Sequence, residues 1–254
     1  MGDNNIIGIH NYCDRWCERC VFTSKCEVYE STSKLSSEQL DSDNAEFWDN
    51  LSSNFKQTID LLKKEAEKRG IDFSEIENYE PSEEEQQNEL RKRDFAKKHS
   101  VAVLSRKYSK LTLAFTKEDV DLTEKVCELV KQGHLGIKTS EEIGTTTADI
   151  GDAFEVVQWY MFFIEVKIQR ALSGKFDEAE DPVDFDFPKD SDGSAKIALI
   201  AIEKSMAAYA KLHTYFPEQE DVILNALSIL QQIKRGVELE FPKAYSFVRP
   251  GFDQ

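Results

Sequence analysis

The chain has 254 residues, 40% of them hydrophobic, with 32 basic side chains against 48 acidic ones and a formal charge of −16. A field of that sign repels nucleic acid and anionic membranes outside a local basic patch, and no apolar run approaches the roughly 18 residues of a membrane-spanning helix. The opening residues, MGDNNIIGIHNY, carry neither the basic segment nor the apolar run of a secretory signal, so the expected setting is cytoplasmic.

Residues 1–30 form a cysteine-rich segment that holds Cys13, Cys17, Cys20 and Cys26. Residues 31–43 (STSKLSSEQLDSD) are polar and read as a linker to a helical domain over 44–254. Asp43 with Glu46 makes a capping box, and Phe47, Leu51, Phe55, Ile59 and Leu62 recur at helical spacing up to a stop at Gly70. An irregular connection over 71–81 follows. Ser82 with Glu85 opens a second, long helix through about Tyr108, extended towards Phe115. Thr116 with Asp119 caps a third, closed by Gly133, and HLGIKTSEEIG reads as a loop.

The next helix is expected from about Thr147 to Ser173, ended by Gly174. Within it FEVVQWYMFFIEV (154–166) is apolar nearly all round, which places it at the centre of a bundle. Residues 175–193 carry eight acids against two bases and form an acidic loop that Phe176, Phe185 and Phe187 partly order. A second apolar helix runs from Ser194 to about Tyr215 and a final one from Glu218 to Glu240. The aromatic tail FPKAYSFVRPGFDQ packs back on the bundle. Without strand alternation or repeats, the expected fold is all-α, a bundle of about six helices with a small N-terminal metal-binding element.

The spacing of the four cysteines is C-x3-C-x2-C-x5-C within HNYCDRWCERCVFTSKCEVY. Four clustered thiols in a cytosolic chain argue for metal or redox chemistry over disulfides. On a helix Cys13, Cys17 and Cys20 share one face, and Cys26 returns as the fourth ligand. Thiolates select soft or borderline metals, so a [4Fe–4S] cluster leads and zinc is the alternative; free or redox thiols are a third reading. Arg15, Arg19 and Lys25 lie between the ligands and favour the thiolate form. Structural zinc usually takes two CxxC-like knuckles with a longer span between them, whereas here all four ligands fall within fourteen residues. Cys127, alone in VCELV, reads as a buried, inert thiol.

Cys17, Cys20 and Cys26 in WCERCVFTSKC resemble the C-x2-C-x-[FY]-x3-C element of the iron–sulfur-stapled RecB-type nucleases. That resemblance implies a [4Fe–4S] cluster, with Cys13 in the place of that family's distant fourth cysteine. The strand-borne Asp…Glu-x-Lys core of those nucleases is not found in the chain, so nuclease activity does not carry over. IHNYCDRWCERCVFTSKC, DGSAKIALIAIEKS and FPKAYSFVRPGFD, about a fifth of the chain, also resemble an uncharacterised bacterial family of helical proteins, which implies no activity. A radical-SAM reading of C-x3-C-x2-C fails because the chain lacks the strand–helix alternation of a β/α barrel.

Charges on the apolar helices pose a second question. Glu155, Glu165, Lys167 and Arg170 fall on the first of them, Lys196 and Glu203 on the second. Unpaired burial of such groups is costly, so interhelical ion pairs are the plain reading. The functional alternative is an enzyme pocket between the two helices, lined by Glu155, Glu165, Lys196 and Glu203, with a zinc-stapled cysteine segment. A di-iron site is disfavoured because no histidine stands three residues after a glutamate. DGSAK (192–196) gives a weak phosphate cradle with Lys196, and Asp149 and Asp192 read as N-caps. The basic cluster Arg91, Lys92, Arg93, Lys97, Lys98, Arg106, Lys107 and Lys110 reads as a solvated helix face, and His134 as an incidental loop residue. The leading functional expectation is a metal-binding cytosolic protein with a structural, regulatory or electron-transfer role that acts through a protein partner, with no nucleic acid and no membrane.

Overall fold

In the computed structural model the described residues are 4–73, 79–119, 122–180 and 189–253, and the regular elements among them are all helices. The all-α expectation holds. Among the described residues no helix is long and apolar enough to cross a membrane. The chain divides into two compact units, Met1–His10 with Arg15–Glu89, and Asn11–Asp14 with Leu90–Gln254.

The first unit carries α1 (Glu27–Thr32), α2 (Ser37–Leu40) and α3 (Ala45–Arg69). The region expected as a linker, 31–43, thus contains a helical turn. Ser36 and Gln39 close it with a reciprocal capping box. Asn44, not Asp43, caps α3 by accepting from the Glu46 amide, and Gly70 ends it in the left-handed region at φ 69°. α4 (Glu83–Lys98) begins with the Ser82–Glu85 box: the Glu85 amide donates to Ser82 Oγ at 3.2 Å and the Ser82 amide to Glu85 Oε2 at 2.8 Å.

The long second helix is two. His99 takes ψ 138°, and its Nδ1 accepts from the Val101 amide, which caps α5 (Ser100–Ala114). A π-helical turn, Phe115–Asp119, follows. There the Thr116 hydroxyl bonds back to the Leu113 carbonyl; the Asp119 side chain expected to share its cap lies outside the described residues. α6 (Leu122–His134) runs through Gly133, and Gly136 supplies the positive φ of the turn beyond it.

α7 spans Ser140–Glu180, longer than expected at both ends. At the start, Thr139 and Glu142 form a capping box inside the stretch read as a loop. At the far end Gly174 stays helical: a Cβ there would stand 3.3 Å from Ser191, so this glycine admits a neighbouring helix. α8 (Asp190–Tyr215) starts four residues early, and α9 covers Glu220–Glu240. Phe185 and Phe187 lie outside the described residues; Phe176 packs against Phe95 with ring centroids 5.7 Å apart.

α5, α7, α8 and α9 close a ring in which each touches the next, a four-helix bundle in chain order. Pairs run antiparallel: Arg170 meets Asp190, Tyr160 meets Lys204 and Asp149 meets Tyr215 across α7 and α8. Burial on α7 follows one stripe through Ile150, Phe154, Val157, Tyr160, Ile164 and Ile168, while Phe162 and Val166 stay exposed. The expectation that α7 is the all-round buried helix is therefore corrected; α8 is buried on more of its circumference. Its small residues Ala195, Ala198, Ala201 and Ser205 let its neighbours approach closely. As expected, the tail folds back, with Ala244 and Phe247 buried.

Candidate functional site

The cysteine segment is built of short 3-10 turns, not one α-helix. Ile9–Tyr12 forms the first turn, Cys17–Arg19 the second and Thr23–Lys25 the third; Cys26 then stands at the N-cap position of α1 without a side-chain capping bond. Arg15, at φ 59°, occupies the left-handed region and breaks the helix between Cys13 and Cys17. The shared helical face expected for Cys13, Cys17 and Cys20 is thus replaced by turns. Each later thiol sits at a turn end: the Cys20 amide closes on Cys17 O at 3.1 Å and the Cys26 amide on Thr23 O at 3.3 Å. The Phe22 amide donates to Cys20 Sγ at 3.4 Å, the kind of bond that steadies a thiolate. Arg19 stacks 3.9 Å above the Trp16 ring.

None of the four cysteines is in a disulfide, and all are half-buried. Among the described residues no group of three or more His, Cys, Asp or Glu is gathered closely enough to hold a metal ion. Cys127, expected to be buried, is exposed on α6.

Cys13 lies between two clamps on the bundle. On one side the Tyr12 hydroxyl donates to Asp190 Oδ1 at 2.8 Å, and Arg170 holds the same carboxylate through two nitrogens at 2.7 and 3.1 Å. Burial, and then the bond to Asp190, push the Tyr12 phenol up to about 12. The Tyr12 ring meets Phe247 edge-on at 4.6 Å and crosses Gly193 so closely that a Cβ there would lie 2.4 Å from Tyr12 Cε1. On the other side Asp14 Oδ2 accepts from Tyr160 Oη at 2.6 Å and Lys204 Nζ at 3.0 Å, and the Trp159 indole donates to Asp14 O at 3.0 Å. Sequence reasoning missed Asp14, Trp159, Tyr160 and Lys204, because no local motif links residues so far apart.

The four residues named for a pocket each have their own surroundings. Glu155 is exposed on α7. Glu165 accepts from Gln169 and stands 4.0 Å from Arg106 Nε on α5. Lys196 pairs with Asp253 at 2.8 Å and donates to the carbonyls of Phe247 and Tyr245 in the tail. Glu203 pairs with Lys234 of α9 at 2.9 Å and accepts from Tyr245 Oη at 3.3 Å. Interhelical ion pairs describe Glu165 and Glu203, whereas Lys196 pairs with the tail and not with another helix.

The other expectations sort similarly. Gly193 lies inside α8 beneath the Tyr12 and Phe247 rings, and Lys196 is committed to the tail, so DGSAK forms no phosphate cradle. Asp149 accepts from Tyr215 Oη at 3.1 Å in mid-helix instead of capping. Asp192 is buried in the first turn of α8, and desolvation followed by the nearby Glu178 raises its carboxyl above the usual range. Lys98 pairs with Asp94 on its own exposed helix face, in keeping with a solvated basic face, whereas Lys92 is half-buried against Asp177 of α7. Comparison of the chain with protein-family models, curated proteins and solved structures finds no match.

Proposed function

We propose that Cys13, Cys17, Cys20 and Cys26 ligate one inorganic centre, a [4Fe–4S] cluster with zinc as the alternative, in a cytosolic protein that works through a protein partner in a structural, regulatory or electron-transfer role. The observation that carries this is the spacing itself: four thiols in fourteen residues, three of them in the pattern that resembles the RecB-type staple. Supporting it, none of the four thiols is in a disulfide, the Cys20 sulfur already accepts an amide, and the segment consists of three- and four-residue turns. Turns of that length rearrange at small cost, so gathering the thiols would be coupled to metal capture. The alternative of an enzyme pocket around Glu155, Glu165, Lys196 and Glu203 draws no support from the partners of these side chains.

The test is purification without oxygen, with iron, sulfide and zinc measured per chain. The cluster predicts a brown protein that absorbs near roughly 400 nm, and Cys13→Ser, Cys17→Ser, Cys20→Ser and Cys26→Ser should each abolish stoichiometric loading. A colourless protein with one zinc selects the alternative. A reduced protein that takes up neither metal, with or without reconstitution, refutes the proposal.

A further inference from the structure

The break between α4 and α5 is capped by a residue outside the usual capping set. Ser, Thr, Asp and Asn offer an oxygen that accepts throughout the range around neutral pH. His99 offers Nδ1 instead, which accepts from the Val101 amide at 3.4 Å. An imidazole nitrogen accepts only while it carries no proton. The proton of the neutral ring then sits on Nε2, and that nitrogen stands 3.5 Å from Glu240 Oε1 at the end of α9. Between them the two contacts select one tautomer.

The His99 side chain is only 15% exposed, so water cannot readily replace either partner. Phe95 of α4 meets the ring edge-on at 5.6 Å. Among the described residues, the charged groups that face it are Glu240 from α9 and Lys175 from α7, which holds the same carboxylate. On its own side of the break, Lys98 is paired with Asp94, and Arg106 of α5 turns to the Lys97 carbonyl. Lys175 holds the Glu240 carboxyl below its usual range, so Glu240 stays ionised where imidazole titrates.

Protonation therefore sets the two nitrogens against each other. On Nε2 the imidazolium attracts Glu240, although Lys175 already offsets part of that charge. On Nδ1 the new N–H points at the Val101 N–H, and a positive charge stands at the positive end of α5. The cap and the full ion pair exclude each other. The turn that loses its cap is the one packed on α9: Val101 is buried where a Cβ on Gly236 would lie 2.6 Å from Val101 Cγ2, one helical turn before Glu240.

We infer that His99 is a pH-sensitive joint, separate from the cysteine site: the neutral ring caps α5, and the protonated ring releases the Val101 amide and holds Glu240 more tightly. Imidazole is the side chain that ordinarily changes charge between about pH 5 and pH 8. Hydrogen exchange at the Val101 amide, corrected for the intrinsic pH dependence of exchange and followed by NMR on the full chain, tests the joint. Protection should fall about fivefold from pH 8 to pH 5, the worth of a typical cap. His99→Asn, which caps without titrating, should keep protection level over the same range. Glu240→Gln should move the midpoint to lower pH, because the imidazolium loses its counter-charge. A wild-type profile that is level from pH 8 to pH 5, or a fall that His99→Asn leaves unchanged, overturns the joint. A midpoint that rises in Glu240→Gln overturns the opposition between cap and ion pair.

Discussion

Replacing Asp14 with alanine should loosen the chain on either side of Cys13 from the bundle, and the structure sets the size of the effect. The carboxylate accepts from the buried Tyr160 hydroxyl at 2.6 Å and from Lys204 at 3.0 Å. Its loss leaves the Tyr160 proton without its acceptor in a site where the ring is fully buried. A hydrogen bond to a charged group contributes about 1.5–3 kcal/mol. The Lys204 pair adds little, because that lysine is half-exposed and screened. The sum is about 2–3 kcal/mol, or a fall of about 4–12 °C in Tm for a chain of this length. Tyr160→Phe should cost about 1 kcal/mol, since it removes donor and acceptor from one atom and leaves Asp14 with Lys204. The double variant should cost less than the sum of the two, with a coupling of about 1 kcal/mol. Urea unfolding followed by far-UV dichroism measures all three, and the fluorescence of Trp159, whose indole donates to Asp14 O, reports local release. An Asp14→Ala cost below about 0.5 kcal/mol, or strict additivity with Tyr160→Phe, would mean that this carboxylate does not fasten the segment.

Two further outcomes follow from the same packing. Gly193→Ala drives a methyl to 2.4 Å from Tyr12 Cε1 and 2.7 Å from Phe247 Cζ, so it should destabilise by about 1–3 kcal/mol, and Tyr12→Ala should relieve part of that in the double variant. Stability should fall at both ends of the pH scale. Arg249 and Lys196 hold the Asp253 carboxyl well below its usual range, so its contribution is complete above about pH 4 and drains away as pH falls through the depressed value. Burial raises the Tyr12 and Tyr108 phenols to about 12, so their contribution is complete below about pH 10 and is lost as pH rises through 12. Asp253→Asn should flatten the acid limb of a stability–pH profile and leave the alkaline limb alone; an unchanged acid limb would contradict the assignment.

Helix signals that depend on neighbours in sequence were legible. The Ser82–Glu85 box and the Gly70 stop both occur as the residue types require. The Thr139–Glu142 box has the same pattern but sits inside a Gly-bounded stretch that reads as a loop, and it starts α7 seven residues before Thr147. The break at His99 had no glycine or proline to announce it, because the cap is an imidazole nitrogen whose other nitrogen stands 3.5 Å from Glu240 on α9. Gly174 looked like a stop because a glycine opened to admit another helix and a glycine that ends one are the same letter.

Composition and local period, acting within a few residues, decided that this chain is helical, where most of its helices run, and that four thiols fall within one short span. Pairing across distance was decided only by the tertiary fold. Asp14 finds Tyr160 and Lys204 at separations of 146 and 190 residues, and Lys196 finds the tail. The apolar face of α7 turned out to be one stripe, since only the ring of four helices determines which side of an apolar helix meets another. A hydrogen bond needs its partner in place, and that place is set by the packing of helices, which no spacing along the chain records.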